Sequence, residues 1–342
     1  MNILQKLYIP KSTTEISAKG KLLLFAVLTV IVSAVFAISL AVGSSKVDIL
    51  SLIMGLLSKE SADYRILFYV RLPRSIAALL CGSALAVAGI ITQAVLNNPM
   101  AAPNIIGVNA GAGLGAILCM AIAPSAVFAL APSSFCGALI ACLLIYAIAQ
   151  KTGASRITIT LVGIAVSSIL TSFINIVKIL FPDSVYNMTS FSVGGLGGVD
   201  FSLIKYTAPI ILLCLICSVF LSKDMDVMCL GEDMASSLGM NVKRLRFTLM
   251  ILASILAGCA VSIAGLLGFV GLVIPHIVRR FTGNSHILLI PAGALCGAGF
   301  VLICDILSRV LFAPYEIPVG ILLSLIGGFF FIGLILSKRR KV

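Results

Sequence analysis

Long apolar stretches alternate with short polar ones along nearly the whole chain. Several of these stretches exceed the ~18 residues that mark a transmembrane helix candidate, and none has the short period-two alternation of a membrane β-barrel. We therefore predict an all-α polytopic membrane protein with about ten transmembrane helices. The predicted spans are roughly 22–42, 74–96, 105–123, 126–149, 157–181, 204–221, 245–264, 268–282, 286–308 and 318–337.

One apolar stretch is too long for a single span. Residues 247–278 are mostly apolar, and as one helix they would be about 48 Å long. A hydrocarbon core is ~30 Å thick. Because Gly265 and Gly268 lie within the stretch and Pro275 follows them, we predict two helices joined by a tight turn near 265–268, the second of them short.

The longest polar interruption in the second half of the chain is 222–246. Inside it, GEDMASSLGM combines good helix formers with early acidic residues, Glu232 and Asp233, and with Gly239 where a C-terminal cap would fall. This pattern predicts a short amphipathic helix between two spans, suited to docking a soluble partner. A solvated loop that merely connects two helices is the alternative.

Composition and charge fix the class and the expected orientation. With 60% hydrophobic and 11% charged residues, the chain is not a soluble globular protein. Its net charge of +12 comes from basic residues that flank the spans, as in membrane orientation, and does not indicate nucleic-acid binding. Counting them favours ten spans in one transmembrane domain, 22–337, with a cytoplasmic N-terminal segment, 1–21, a cytoplasmic 222–246 loop and a basic cytoplasmic tail, 338–342.

The sequence predicts no catalytic residue and no metal ligand set. The ten cysteines lack zinc or redox spacing, and no motif of a hydrolase or of a nucleotide-binding loop is present. If ATP drives this protein, another polypeptide must bind it, and the 222–246 loop would be its docking surface. Asp305, His276 and Lys178 fall near span ends, which weakens the alternative of an ion-coupled secondary transporter without removing it.

Three arginines are expected on the outer face. Arg71 and Arg74 lie at the mouth of the second span, and Arg309 precedes the last span. A guanidinium pairs bidentately with a carboxylate, so these residues could receive acidic side chains of a partner protein. Ordinary anchoring of helix ends is the alternative, or for Arg309 an i, i+4 pair with Asp305.

Four blocks of the chain carry a family resemblance. Residues 71–116 read RLPRSIAALLCGSALAVAGIITQAVLNNPMAAPNIIGVNAGAGLGA, and the others are LGEDMASSLGMNV (230–242), GFVGLVIPHIVRRFTG (268–283) and EIPVGILLSLIGGFFFIGLI (316–335). In order and spacing these blocks resemble the FecCD-type permeases. Those proteins are the membrane subunits of ABC importers for iron-siderophore complexes, haem and cobalamin.

The resemblance implies a type II ABC importer permease bundle in the bacterial cytoplasmic membrane, surrounded by membrane lipid. Expected partners are a second copy in a homodimer or a paralogous permease, two ABC ATPase subunits that hold ATP and Mg, and a periplasmic or lipoprotein substrate-binding protein. This chain itself would hold no cofactor and would not be an enzyme. A ferric siderophore is the expected cargo, with cobalamin or haem as alternatives.

The resemblance also assigns roles to particular residues. Arg71 and Arg74 match the arginines that receive the binding protein, and Arg309 matches them in a looser sequence context. The fifth predicted span, 157–181, is rich in Ser and Thr and is a candidate polar wall of the path, although helix packing explains those residues equally well. The residues expected to couple to the ATPase are Leu230, Gly231, Glu232, Asp233, Ala235, Leu238 and Gly239.

Overall fold

The apolar stretches fold into helices joined by short turns. The computed structural model describes residues 18–43, 61–151, 155–182, 189 and 191–339. Its helices are α1 Ala18–Ala41, α2 Ala62–Leu96, α3 Val108–Ile122, α4 Leu130–Lys151, α5 Arg156–Leu180, α6 Phe201–Phe220, α7 Ser222–Cys229, α8 Glu232–Ser237, α9 Val242–Ala264, α10 Val270–Thr282, α11 His286–Val310 and α12 Val319–Arg339. Each of the ten predicted spans corresponds to a helix, and the prediction of an all-α bundle is confirmed.

The ten helices differ in length more than the sequence suggests. Among the described residues, seven helices are long and apolar enough to cross a membrane. By contrast, α3 has 15 residues and α10 has 13. Most of the predicted N-terminal segment 1–21 and the last three residues of the predicted tail lie outside the described residues. Lys338 and Arg339 belong to α12.

The prediction of two helices within 247–278 is confirmed. Helix α9 ends at Ala264, where Gly265 has a φ of +69°, and α10 begins at Val270. A positive φ is costly for residues with a Cβ, so glycine allows the sharp turn here. Because α10 has only 13 residues, it is about 20 Å long and does not match the thickness of a hydrocarbon core.

Helix α2 forms the centre of the bundle. In its most apolar window, 83% of the residues are buried, and it packs against α6, α9, α10 and α11. Small side chains make this possible. Gly82 of α2 faces Gly297 of α11 so closely that a Cβ on either glycine would overlap the other backbone. Such contact between helix backbones replaces the hydrophobic effect as a packing force inside a membrane.

Contacts at the helix ends show that the chain passes up and down through the bundle. The start of α5, the end of α4 and the starts of α9 and α11 meet around α7 and α8. The end of α1, the start of α2 and the end of α11 meet at the opposite end. We call these the α8 end and the Arg74 end of the bundle.

Candidate functional site

The polar segment 222–246 forms two short helices and the first turn of α9. Helix α8 lies between Gly231, with a φ of +123°, and Gly239, with a φ of +80°. After its last turn the N–H of Met240 donates to Ala235 O at 3.0 Å and that of Gly239 to Ser236 O at 2.9 Å, the pattern of a helix terminated by a left-handed residue. The predicted short helix is confirmed, with Gly239 just beyond its end, and its role in docking a partner stays a prediction.

Replacing Gly239 with valine should loosen α8. The left-handed conformation costs residues with a Cβ about 1–2 kcal/mol, so α8 amides should exchange about 5- to 30-fold faster in hydrogen-exchange mass spectrometry. Gly239→Asn is the matched control, because asparagine tolerates this conformation. Equal exchange in the two variants would show that the φ of residue 239 does not limit the stability of α8.

Three large apolar side chains on and beside α8 are exposed. Met234 and Leu238 are 61% and 69% exposed, and Leu230, which precedes the helix, is 64% exposed. Asp233 is also exposed, whereas Ala235, on the side of α8 that faces the bundle, is fully buried. We call Leu230, Met234 and Leu238 the apolar row. When a partner removes large apolar side chains like these from water, the free energy of the system falls, which favours binding.

Glu232, whose side chain is 45% exposed, pairs with two arginines of the bundle. Its Oε1 lies 2.5 Å from Nη2 of Arg246 in α9 and 3.7 Å from Nε of Arg156 in α5. Arg246 is 1% exposed, so its buried charge needs a counter-charge, and Glu232 supplies one. Sequence reasoning grouped Glu232 with the partner-facing residues and missed both arginines. Their positions gave a signal for this role. Arg156 directly precedes the predicted span 157–181, and Arg246 lies at the start of the predicted span 245–264.

Asp226 of α7 caps the start of α11. Its Oδ1 accepts the backbone N–H of His286 at 3.0 Å and lies 2.5 Å from His286 Nδ1, and Ser285 Oγ donates to Oδ2 at 3.4 Å. A carboxylate at a helix N-terminus satisfies free N–H groups and interacts favourably with the helix dipole. Cys229 ends α7, and burial raises the pKa of its thiol. The two short helices are therefore bound to α5, α9 and α11.

At the Arg74 end, two arginines share one buried carboxylate. Arg74 Nε lies 2.8 Å from Asp305 Oδ1, and Arg309 Nη2 lies 3.1 Å from Asp305 Oδ2. Arg74 also donates through Nη1 to Glu316 at 2.6 Å and through Nη2 to Ser308 at 3.4 Å. Asp305 is fully buried. The predicted i, i+4 pair of Asp305 and Arg309 is thus confirmed.

Arg71 and Arg309 hold the end of α1. Arg71 Nη1 donates to the carbonyls of Leu40 and Ala41 at 2.8 Å, and Arg309 Nη1 donates to those of Ser39 and Val42 at 3.1 Å. The last carbonyls of a helix have no partners within it and carry partial negative charge, so guanidinium groups satisfy them well.

These contacts fit the alternative of anchoring helix ends for Arg71 and Arg309, while Arg74 binds carboxylates of its own chain. Arg71, Arg74 and Arg309 are 3%, 6% and 2% exposed, because carbonyls at the end of α1 and the carboxylates of Asp305 and Glu316 accept their N–H groups. Glu316 was not singled out from the sequence, although it lies in the block 316–335. Its side chain is 37% exposed and covers Arg74 from outside. The docking role of the arginines stays a prediction.

Helix α5 borders an open groove with hydroxyl groups on its wall. The groove is lined by Asn104, Ile105, Ile164, Ser167, Ser168 and Thr171. The hydroxyls of Ser168 and Thr171 donate to carbonyls four residues earlier, at 2.9 and 2.8 Å, so they require no partner on another helix. Among the described residues, no group of three His, Cys, Asp or Glu side chains could hold a metal ion.

Comparison of the fold identifies the class of protein. A solved ABC transporter in an inward-facing conformation, described as "a putative metal-chelate type ABC transporter", superimposes with a TM-score of 0.83 at 28% identity, covering 92% of this chain and 99% of that one. The bundle is thus that of a multi-pass ABC transporter permease. The chain belongs to the FecCD transport family, whose family model matches residues 29–337. The resemblance read from the sequence is confirmed.

Relatives within the family carry different cargo names. The Fe(3+)-citrate import system permease protein YfmE of Bacillus subtilis is 37% identical, covering 97% of this chain and 99% of its own length. The probable siderophore transport system permease protein YfhA of the same organism is also 37% identical, covering 93% of this chain and 96% of its own length. The hemin transport system permease protein HmuU of Yersinia pestis is 34% identical, covering 90% of this chain and 95% of its own length.

Proposed function

We propose that this chain is the membrane-spanning subunit of an ATP-driven importer, and that its apolar row at α8 docks a separate ABC ATPase. The observation that carries the proposal is the 61–69% exposure of Leu230, Met234 and Leu238 on and beside a helix that is bound to α5 and α9 through Glu232. The ATPase would hold ATP and Mg, and it would act on the bundle by moving α8.

The distribution of charge supports a cytoplasmic position for α8. Basic side chains are concentrated at the α8 end of the bundle. The directions of the helices and their contacts assign these residues to that end: Lys19, Lys21, Lys151, Arg156, Lys223, Lys243, Arg244, Arg246, Arg279 and Arg280. Lys and Arg near span ends favour the cytoplasmic side. Both termini would then be cytoplasmic, in the bacterial inner membrane.

The Arg74 end would receive the extracytoplasmic binding protein. Arg71, Arg74 and Arg309 supply positive charge there, while Glu316 covers Arg74. An acidic side chain of the binding protein would reach Arg74 by taking the place of Glu316. The released cargo would enter a path along the groove of α5, formed with a second copy of the chain in a homodimer or with a paralogous permease.

We propose a ferric siderophore or ferric citrate complex as the cargo. The names of the relatives YfmE and YfhA support this class, and that of HmuU supports haem as the second candidate. Uptake of 55Fe-labelled ferric citrate, 55Fe-labelled ferric hydroxamate and 55Fe-haem by cells with and without the chain separates them. Loss of ferric-chelate uptake alone supports the proposal, whereas loss of haem uptake alone assigns haem.

Replacing Met234 with aspartate should detach the ATPase. A charge in the centre of an apolar contact must be desolvated on docking without a partner, which costs several kcal/mol. The amount of ABC ATPase that co-purifies in mild detergent should therefore fall at least about tenfold. Phe312→Asp is the matched control, because Phe312 is 57% exposed at the Arg74 end.

Two results would contradict this assignment. If Met234→Asp and Phe312→Asp retain equal amounts of ATPase, the apolar row is not the docking surface. If uptake persists in Met234→Asp after the ATPase is lost and instead follows an ion gradient, the chain works as a secondary transporter.

A further inference from the structure

The ion pairs of Glu232 connect α8 to two transmembrane helices that differ in how firmly they are packed. We propose that Glu232 and Arg156 are positioning residues that pass a displacement of α8 to α5, so that the wall of the α5 groove moves with the ATPase. Glu232 would thus act inward on the permease and not as a contact to the ATPase. The inference rests on the proposed docking at α8.

Arg156 lies where α5 meets both short helices. It is the first residue of α5, its Nε lies 3.7 Å from Glu232 in α8, and its Nη2 donates to Met228 O of α7 at 3.3 Å. A movement of α7 and α8 as a pair therefore pulls on the same guanidinium through two contacts. The start of α5 would follow them.

The second partner of Glu232 supplies a fixed point. Arg246 belongs to α9, of whose apolar window 72% of the residues are buried, against 22% for α5. Close packing resists displacement because buried side chains interlock at crystal-like density. Within its own chain, α5 therefore has less packing to overcome than α9, and we infer that α5 is the helix that shifts when α8 moves.

The lengths of the two pairs agree with this division. Both pairs use the same oxygen of Glu232, whose side chain is 45% exposed, but Arg246 Nη2 lies 2.5 Å from it and Arg156 Nε lies 3.7 Å from it. A contact longer than a hydrogen bond sets no fixed geometry, so it can adjust its length as two helices slide. Glu232 can therefore keep its bond to the fixed helix while its contact with α5 changes.

Helix α5 can carry the movement to the groove. It runs for 25 residues, about 37 Å, and Ile164, Ser168 and Thr171 on it line the groove. A helix is stiff along its axis, so displacement at Arg156 reaches these residues without local unfolding. Movements of helices by a few ångströms are an established way in which transporters and oligomers switch between states.

The test measures movement of the groove without using any cargo. Ser168, which is exposed on α5, is replaced by cysteine, and the permease–ATPase complex is placed in proteoliposomes. Labelling by a membrane-impermeant maleimide is then timed in the resting state and after trapping with Mg-ATP and vanadate. The same complex without Ser168→Cys gives the background from the native thiols.

Trapping should change the labelling rate at position 168 in the complex that carries no further substitution. With Arg156→Gln, the ATPase should remain bound, and the change on trapping should shrink about fivefold or more, the lower end of typical coupling factors. Arg156→Lys should retain most of the change, since an ammonium group still pairs with Glu232. Glu232→Gln should also keep the ATPase and lose the change.

Other outcomes overturn the inference. A full response to trapping in both Arg156→Gln and Glu232→Gln shows that α5 moves without this ion pair. Loss of the ATPase in Glu232→Gln makes Glu232 a docking contact. If the chain with only Ser168→Cys binds no ATPase, the proposed function itself fails and the relay fails with it, a result that the first two outcomes cannot produce.

Discussion

Replacing Asp305 with alanine should destabilise the bundle by about 3–5 kcal/mol. Asp305 is fully buried, and the side chains of Arg74 and Arg309 that it joins are 7% and 3% exposed. Without its carboxylate, two guanidinium groups stay buried with less negative charge around them, and burial of charge without a counter-charge is among the costliest changes in a protein interior. The free energy of unfolding in detergent, followed by circular dichroism under denaturant, measures the loss.

Two variants show whether the buried charge is responsible. Asp305→Asn keeps an oxygen that can accept the Arg74 Nε–H, so it should lose less stability than Asp305→Ala. Glu316→Gln alters the other carboxylate on Arg74, but Glu316 is 37% exposed, and a half-solvated pair contributes about 1 kcal/mol or less. Equal losses for Asp305→Ala and Glu316→Gln would show that Asp305 does not hold this cluster together.

The sequence identifies this buried cluster only in part. The four-residue spacing of Asp305 and Arg309 predicts their pair because residues so spaced share a helix face. The pair of Arg74 and Asp305 joins residues 231 positions apart, and nothing in local periodicity reports such a contact. An arginine before an apolar stretch has the same pattern whether it faces solvent or caps another helix. The sequence therefore left open whether Arg71 and Arg74 face a partner or anchor helix ends.

The short helix α8 illustrates what local rules capture. Acidic residues at its start and Gly239 after its end gave its position to within about two residues, because these preferences arise within one or two turns of backbone. Which of its side chains point inward was not predictable in the same way. Met234 and Ala235 are adjacent, yet one is 61% exposed and the other fully buried, and the difference depends on how α9 and α5 lie beneath the helix.

Span boundaries failed where polar side chains are buried. The second span was predicted to begin at 74, whereas α2 begins at Ala62 and contains Arg65, Arg71 and Arg74. Hydropathy treats an arginine as a boundary because its transfer into lipid is unfavourable. Carbonyls of α1 accept the N–H groups of Arg71, and the carboxylate of Asp305 accepts that of Arg74, so this cost is largely offset and the helix continues. The segment Ile66–Arg71 is π-helical, as is common where a helix is adapted to a particular set of contacts.

Replacing Gly89 with alanine should force α2 and α10 apart. A Cβ at residue 89 would overlap the carbonyl group and Cα of Gly271, and backbone atoms cannot rotate away as a flexible side chain can. We expect a loss of about 1–3 kcal/mol or more. The displacement would also stretch the hydrogen bond from Gln93 Nε2 to Gly271 O, now 3.3 Å, and the contact of Gln93 with Arg279. The free energy of unfolding in detergent again measures the effect.

Gly328→Ala is the matched control for Gly89→Ala. Gly328 also lies within a helix, α12, but no atom outside its own helix lies within 4 Å of its Cβ position. There alanine should be neutral or stabilising by up to about 1 kcal/mol, since it has the higher helix propensity. If both variants unfold like the unsubstituted chain, α10 can move away from α2 at little cost. The tight backbone contact between Gly89 and Gly271 would then not be what holds α10 in the bundle.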